Sequence, residues 1–231
     1  MGSALNNIFG GGNILGLLTS VASMFFPPLA IATSLSNLLT QALGQAMTQA
    51  INTLVQQSGM PKFLGDMIKN MVGEVLGNLM KPSSPDVDQA VGGNANVQDW
   101  MGKFVEDISN QIVESARKFM EANSAKEGKG KKASAGSWLE AIAMAMGEIA
   151  GDKAAKMVEL SQQMADLNGA AKGMDSKSEE GREALSKNAR EFSEVQSKFQ
   201  AASQEFSILQ NTFANAIKSI GEGLTAMGRK G

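Results

Sequence analysis

Apolar residues recur at steps of three and four along most of the chain, the spacing of one face of an α-helix. Between Leu29 and Gln57 the positions Ile31, Leu35, Leu38, Leu39, Leu43, Ala46, Met47, Ala50, Ile51, Leu54 and Val55 keep to it. The opposite face holds Thr33, Gln41, Gln45, Thr48, Gln49, Asn52 and Gln56, polar but uncharged. Pro27-Pro28 parts this helix from a shorter apolar one at Ile14–Phe26, because proline lacks the N–H a helix interior needs and clashes with the turn before it. The Gly- and Asn-rich Asn6–Gly12 reads as a lead into that first helix. Ser58-Gly59 ends the long helix, and Pro61 opens Pro61–Met80, whose apolar face is Phe63, Leu64, Met67, Ile68, Met71, Val75, Leu76 and Leu79.

Two polar stretches punctuate the chain beyond Met80. Lys81–Asn96 (KPSSPDVDQAVGGNAN) and Ser124–Gly136, rich in Gly, Lys and Ser, read as linkers. Between them an amphipathic helix at 97–123 carries Trp100, Met101, Phe104, Val105, Ile108, Ile112, Val113, Ala116, Phe119 and Met120 on one face. The remainder holds the strongest pattern. Leu185, Phe192, Phe199, Phe206, Phe213 and Ile220 stand seven residues apart without a miss, with Val195, Ala202, Leu209 and Ala216 at the second seam position. That is a coiled-coil seam. Upstream, Leu139, Ile142, Met146, Ile149, Met157, Leu160, Met164 and Leu167 supply a partner face, with Ser137 and Glu140 spaced as a capping box. The polar Asn168–Glu180 makes the turn of an antiparallel hairpin, whose longer arm of about 45 residues would extend roughly 65–70 Å. The predicted fold is all-α: several short apolar helices followed by a long, coiled-coil-like antiparallel hairpin. Its segments are an apolar region 1–80, a linker 81–96, a helix 97–123, a basic Gly/Lys linker 124–136 and the hairpin 137–231. No segment alternates with the period of a β-strand.

Charge sharpens this picture. All 21 basic and 23 acidic residues lie between Lys62 and Lys230, so the first 61 residues are uncharged. Such a block is buried in the protein, buried between copies, or placed in lipid. Ile14–Phe26 spans 13 residues, short of the roughly 20 that cross a bilayer. A hairpin broken at Pro27-Pro28 would instead dip into a membrane through Ile14, Leu17, Leu18, Phe25 and Phe26. The basic stretch that opens a secretory signal is missing from Met1–Asn7. Asn6 likewise stands where N-myristoylation requires Ser or Thr.

Composition narrows the chemistry. The chain has no His, Cys or Tyr, which removes imidazole and thiolate ligands, nucleophiles and disulfides. Gly10–Gly16 lacks the Lys-Ser/Thr of a phosphate loop. Lys126 and Gly128–Lys132 form a small basic loop, and with a net charge of −2 no nucleic-acid surface is expected. The carboxylate pairs Asp86/Asp88 and Glu179/Glu180 fall in predicted linkers, where nothing shifts them toward acid–base work. Lys153 and Lys156 lie beside an apolar stripe, as snorkelling side chains do. Trp100 and Trp138 read as packing anchors, and the 15 Met suit adaptable contacts. Glycines within helices (Gly44, Gly65, Gly73, Gly77, Gly147 and Gly151) lower the expected stability by about 0.5–1 kcal/mol each. No catalytic, cofactor or metal residues are assigned. Leu185, Phe192, Phe199, Phe206, Phe213 and Ile220 are assigned to self-association, so a homo-oligomer is expected.

These features resemble bacterial proteins exported unfolded through type III secretion channels. The N-terminal part, roughly residues 1–96, with Leu38-Leu39, Ala42-Leu43-Gly44-Gln45-Ala46 and Val75-Leu76-Gly77-Asn78-Leu79, is similar to Gly-rich harpins. The heptad hairpin over 137–231 is similar to filament and translocator subunits, although both long helices here lie late in the chain. The resemblance implies a non-enzymatic structural or interaction protein at the cell surface or outside it, reached without a cleaved signal, with an export chaperone among its partners. A phage virion or ejection protein that contacts or crosses a membrane is the alternative. An enzyme restricted to Glu, Asp and Lys is a third reading.

Overall fold

The computed structural model describes residues 28–127 and 134–228, and among these the chain is α-helical with no strand. Helix α1 (Pro28–Gln57) buries Leu39, Leu43, Met47, Ile51 and Leu54, the face its periodicity predicts. Gly59 ends it at φ +79°, a left-handed conformation that disfavours a side chain. The N–H groups of Ser58 and Met60 both donate to the Leu54 carbonyl there. Helix α2 (Lys62–Leu79) returns along α1. The two backbones approach closely at glycine: a β-carbon on Gly44 would meet Leu76 Cδ1 at 2.7 Å, and one on Gly65 would meet Val55 Cγ2 at 2.7 Å. These two glycines are packing positions.

The stretch 81–96 is more ordered than its composition predicts, since it contains helix α3 (Pro85–Gly92). Pro85 starts α3 where its missing N–H has no role, and Asp86 and Asp88 sit favourably in the first turn. Val87 is buried. Asp88 accepts from the hydroxyls of Ser34 and Ser83, both at 2.6 Å. Asn37 clasps Lys81 with both ends of its amide, donating to the carbonyl at 2.8 Å and accepting from the N–H at 3.0 Å. An eight-residue helix, held among the described side chains by Val87 and polar bonds, is too short to show an apolar period.

Helix α4 (Ala95–Glu127) extends past both predicted ends and is latched to the α1–α2 turn by Arg117, which donates to Ser58 Oγ at 2.7 Å. Helix α5 (Ala135–Lys172) is capped by Ser134 rather than Ser137. Ser134 Oγ accepts from the Ser137 N–H at 3.1 Å, so Ser137 and Glu140 already lie inside the helix. α5 also runs through Gly169 to Lys172, which shortens the predicted turn. Helix α6 (Glu179–Gly228) has 50 residues, about 75 Å at 1.5 Å each. Antiparallel to α5, it completes the expected hairpin.

The core brings together the inner faces of α1, α2 and α4, the first half of α5 (Leu139, Ile142, Met146, Ile149) and the second half of α6 (Leu209, Phe213, Ala216, Ile220). Trp100 and Trp138 are buried in it, Trp100 stacked on Phe104 at 5.2 Å between ring centroids. Farther along the hairpin this packing stops. From Ser161 to Gln200 the single buried residue is Asn188. The hairpin is therefore rooted in the core and continues beyond it as a two-helix arm.

Candidate functional site at the root of the arm

Leu139, Met146, Lys153, Leu160 and Leu167 are spaced by seven, so α5 carries a heptad seam of its own with a lysine at its centre. Lys153 is 3% exposed and its partner, Glu205 of α6, 6%. Its ammonium donates to Glu205 Oε1 and lies 5.9 Å from the centroid of the Phe104 ring on α4. A third charge stands near: burial, and secondarily Glu106, pushes the Asp107 carboxyl above its ordinary pKa, while Lys153 pulls it back. The ammonium thus meets a carboxylate, an aromatic face and a second carboxyl where three helices converge. This pairing departs from snorkelling, because the Lys153 head group is buried rather than delivered to water.

The same logic recurs toward the tip. Asn188 occupies the seam position three residues after Leu185, where α6 otherwise places Val195, Ala202, Leu209 and Ala216. Its Nδ2 donates to the Leu167 carbonyl of α5 at 3.0 Å. Apolar heptads match almost as well after a seven-residue slide, whereas a buried polar group is satisfied in one register only. Lys153–Glu205 therefore indexes the hairpin at its root, and Asn188 ties the two helices together near the tip. The signal for both was present in the sequence, as polar residues standing on heptad positions.

The residues assigned to self-association divide into two sets. Phe213 and Ile220 are buried in the core of the protomer, against its own helices. Leu185, Phe192, Phe199 and Phe206 are half-buried, as are Met164, Leu167 and Val195. Ile14, Leu17, Leu18, Phe25 and Phe26, assigned to membrane contact, lie outside the described residues, as does the basic loop Gly128–Lys132. Within the charge-free block, the apolar face of α1 from Leu39 to Leu54 is consumed by the core. No helix among the described residues is long and apolar enough to cross a membrane. Nor do the described residues hold a cluster of three carboxylates placed for a metal ion. Glu179 and Glu180 stand exposed in the first turn of α6, and Asp88 is engaged with its two serines.

With both partners buried, the Lys153–Glu205 pair meets no substrate unless the hairpin opens. The chemistry open to this site is recognition and alignment. Compared with protein-family models, curated proteins and solved structures, the chain matches none.

Proposed function

We propose that this chain is a non-enzymatic structural protein, exported without signal cleavage, that self-assembles through its helical arm. The observation supporting this reading is the half-covered seam between Ser161 and Gln200. Met164, Leu167, Leu185, Phe192, Val195 and Phe199 keep heptad order there, yet none is buried within the protomer. Fully burying such a side chain is worth about 1.5–3 kcal/mol, so the uncovered part of six is a substantial drive for association. A second arm laid on this seam makes a four-helix bundle, the ordinary way for hairpins to close an apolar stripe.

The absence of cysteine makes the test direct, since a single introduced thiol reports only contacts between copies. Leu185→Cys, Val195→Cys and Phe199→Cys, made one at a time in the full chain, should give disulfide-linked dimers under mild oxidation at one or more of these positions. Thiols at the exposed Lys103 and Glu148 should give none. Sedimentation of the parent as a monomer at all concentrations, with no seam position cross-linking, would refute the assembly reading. Finding the protein confined to the cytosol of its host would refute the export part alone.

A further inference from the structure

We infer a second self-association surface, the uncharged outer ridge of α1, whose occupant is the same ridge of another copy. Gln41, Gln45, Thr48, Gln49, Asn52 and Gln56 are all exposed along it. Gln41 to Gln56 spans roughly 22 Å of helix. A groove of about 710 Å³ runs down one side, between α1 and α2, with Val72, Leu76 and Met80 among its lining. Another of about 700 Å³ runs down the other side, between α1 and the start of α4. Gln45 and Gln49 border both. The α2 wall is open at Gly73 and Gly77, where an added β-carbon would meet nothing within 4 Å.

A ridge standing between two grooves is the shape by which crossing helices interlock. Each copy offers both features, so a two-fold axis seats the first ridge in the second copy's groove and the reverse. The chemistry favours a copy over an unrelated partner. Every carboxamide carries donors and an acceptor, so Gln41, Gln45, Gln49 and Gln56 are complementary to their own image. Asn52 accepts from Lys69 Nζ at 3.2 Å, and the two grooves carry one charge each, Lys69 in the first and Glu106 in the second. A ridge bearing charge of one sign would repel its own image. Elsewhere the solvent faces do carry charge, as at Asp99/Lys103 on α4, Lys156/Glu159 on α5 and Glu194/Lys198 on α6. The ridge pairs independently of the arm. Together with the arm-to-arm contact, and resting on that reading, it would join copies alternately at two different two-fold contacts. Where the two axes intersect at a suitable angle this builds a closed dihedral oligomer, and otherwise an open fibre.

The experiment is sedimentation velocity on four full-length proteins: the parent, Gln45→Glu/Gln49→Glu, Gln45→Lys/Gln49→Lys, and Phe192→Ser/Phe199→Ser. Glu and Lys are as helix-compatible as Gln, and far-UV circular dichroism should show equal helix content for the two ridge variants. The parent should form species larger than a dimer. Each ridge variant alone should stop at the dimer, and an equimolar mixture of the two should recover the larger species. A ridge variant that assembles like the parent, or a mixture that stays dimeric, overturns the proposal. A parent that stops at a dimer separates the two contacts. Ridge variants that then fall to monomers, with a mixture that is dimeric, keep the ridge and refute the arm. Ridge variants that stay dimeric refute the ridge, as when it serves an unrelated partner or a small polar ligand. The arm variant separates the two ideas: if it sediments like the parent the arm reading fails, whereas the mixing result judges the ridge alone.

Discussion

Removing one member of the Lys153–Glu205 pair should harm the protein far more than removing both. Lys153→Met leaves the buried Glu205 carboxylate without its cation and takes from Asp107 the one attraction that offsets its burial. Glu205→Leu leaves the ammonium buried, but still beside the Phe104 ring and Asp107. Uncompensated buried charges of this kind cost about 3–5 kcal/mol, and well-packed apolar replacements of a whole pair are typically neutral or stabilising by about 1–4 kcal/mol. The lysine variant should therefore sit at the upper end of that range and the glutamate variant at the lower. The double variant should return to within about 1 kcal/mol of the parent or exceed it. At about 2–4 °C per kcal/mol for a chain of this size, the single variants should melt roughly 6–20 °C below the parent. Urea unfolding followed by circular dichroism completes the cycle. Additive losses in the double variant would show that the two side chains do not act as a pair.

Three further outcomes rest on burial and geometry. Thr212 Oγ1 is buried without a hydrogen-bond partner among the described residues, so Thr212→Val should raise stability by about 1–3 kcal/mol, read as a higher urea midpoint at unchanged slope. Asp107 binds its proton more tightly when folded than unfolded. Its ionisation therefore lowers stability as pH rises from the ordinary carboxylate pKa through its raised one. Asp107→Asn should stabilise at pH 7, and its advantage should vanish in acid below the ordinary carboxylate pKa. An asparagine variant less stable at neutral pH would contradict this. Gly73→Ala enters open space on a helix and should gain up to about 1 kcal/mol. Gly65→Ala meets Val55 Cγ2 at 2.7 Å and Ile51 Cγ2 at 3.2 Å, so it should destabilise. Thermal melts of the two alanine variants should move in opposite directions.

The long helices were legible because their apolar positions repeat over many turns, so α1, α2, α4 and the hairpin stand close to where the sequence puts them. Helix α3 was not, since its eight residues are too short to show an apolar period, and among the described side chains it is held by Val87 and by the bonds of Ser34, Asn37 and Asp88, whose pairing depends on a fold already formed. The start of α5 was misplaced for a related reason. Ser134 and Ser137 are both plausible caps, and only the backbone shows which hydroxyl receives which N–H. The Phe heptad read correctly as a seam, but periodicity says nothing of what covers it: Phe213 and Ile220 face the protomer's own core while Phe192 and Phe199 stay half open. At the root of the arm the decisive clue was Lys153 falling every seventh residue with Leu139, Met146, Leu160 and Leu167. Long lysine chains so often reach water that the position by itself did not announce a buried pair.

The way α6 closes the core has a consequence for the timing of synthesis. Leu209, Phe213 and Ile220 belong to one apolar cluster with Leu39 and Leu43 of α1, made more than 160 residues earlier. At about 5–20 residues per second, α1 waits roughly 10–35 s on the ribosome before its last neighbour exists. Throughout that interval α1 to α4 and the first part of α5 surround a space that α6 has yet to fill. Native closure thus waits for the synthesis of α6. Any factor that must catch this chain before its core closes has the whole of that interval in which to do so, and a truncation before Leu209 leaves the cluster permanently open.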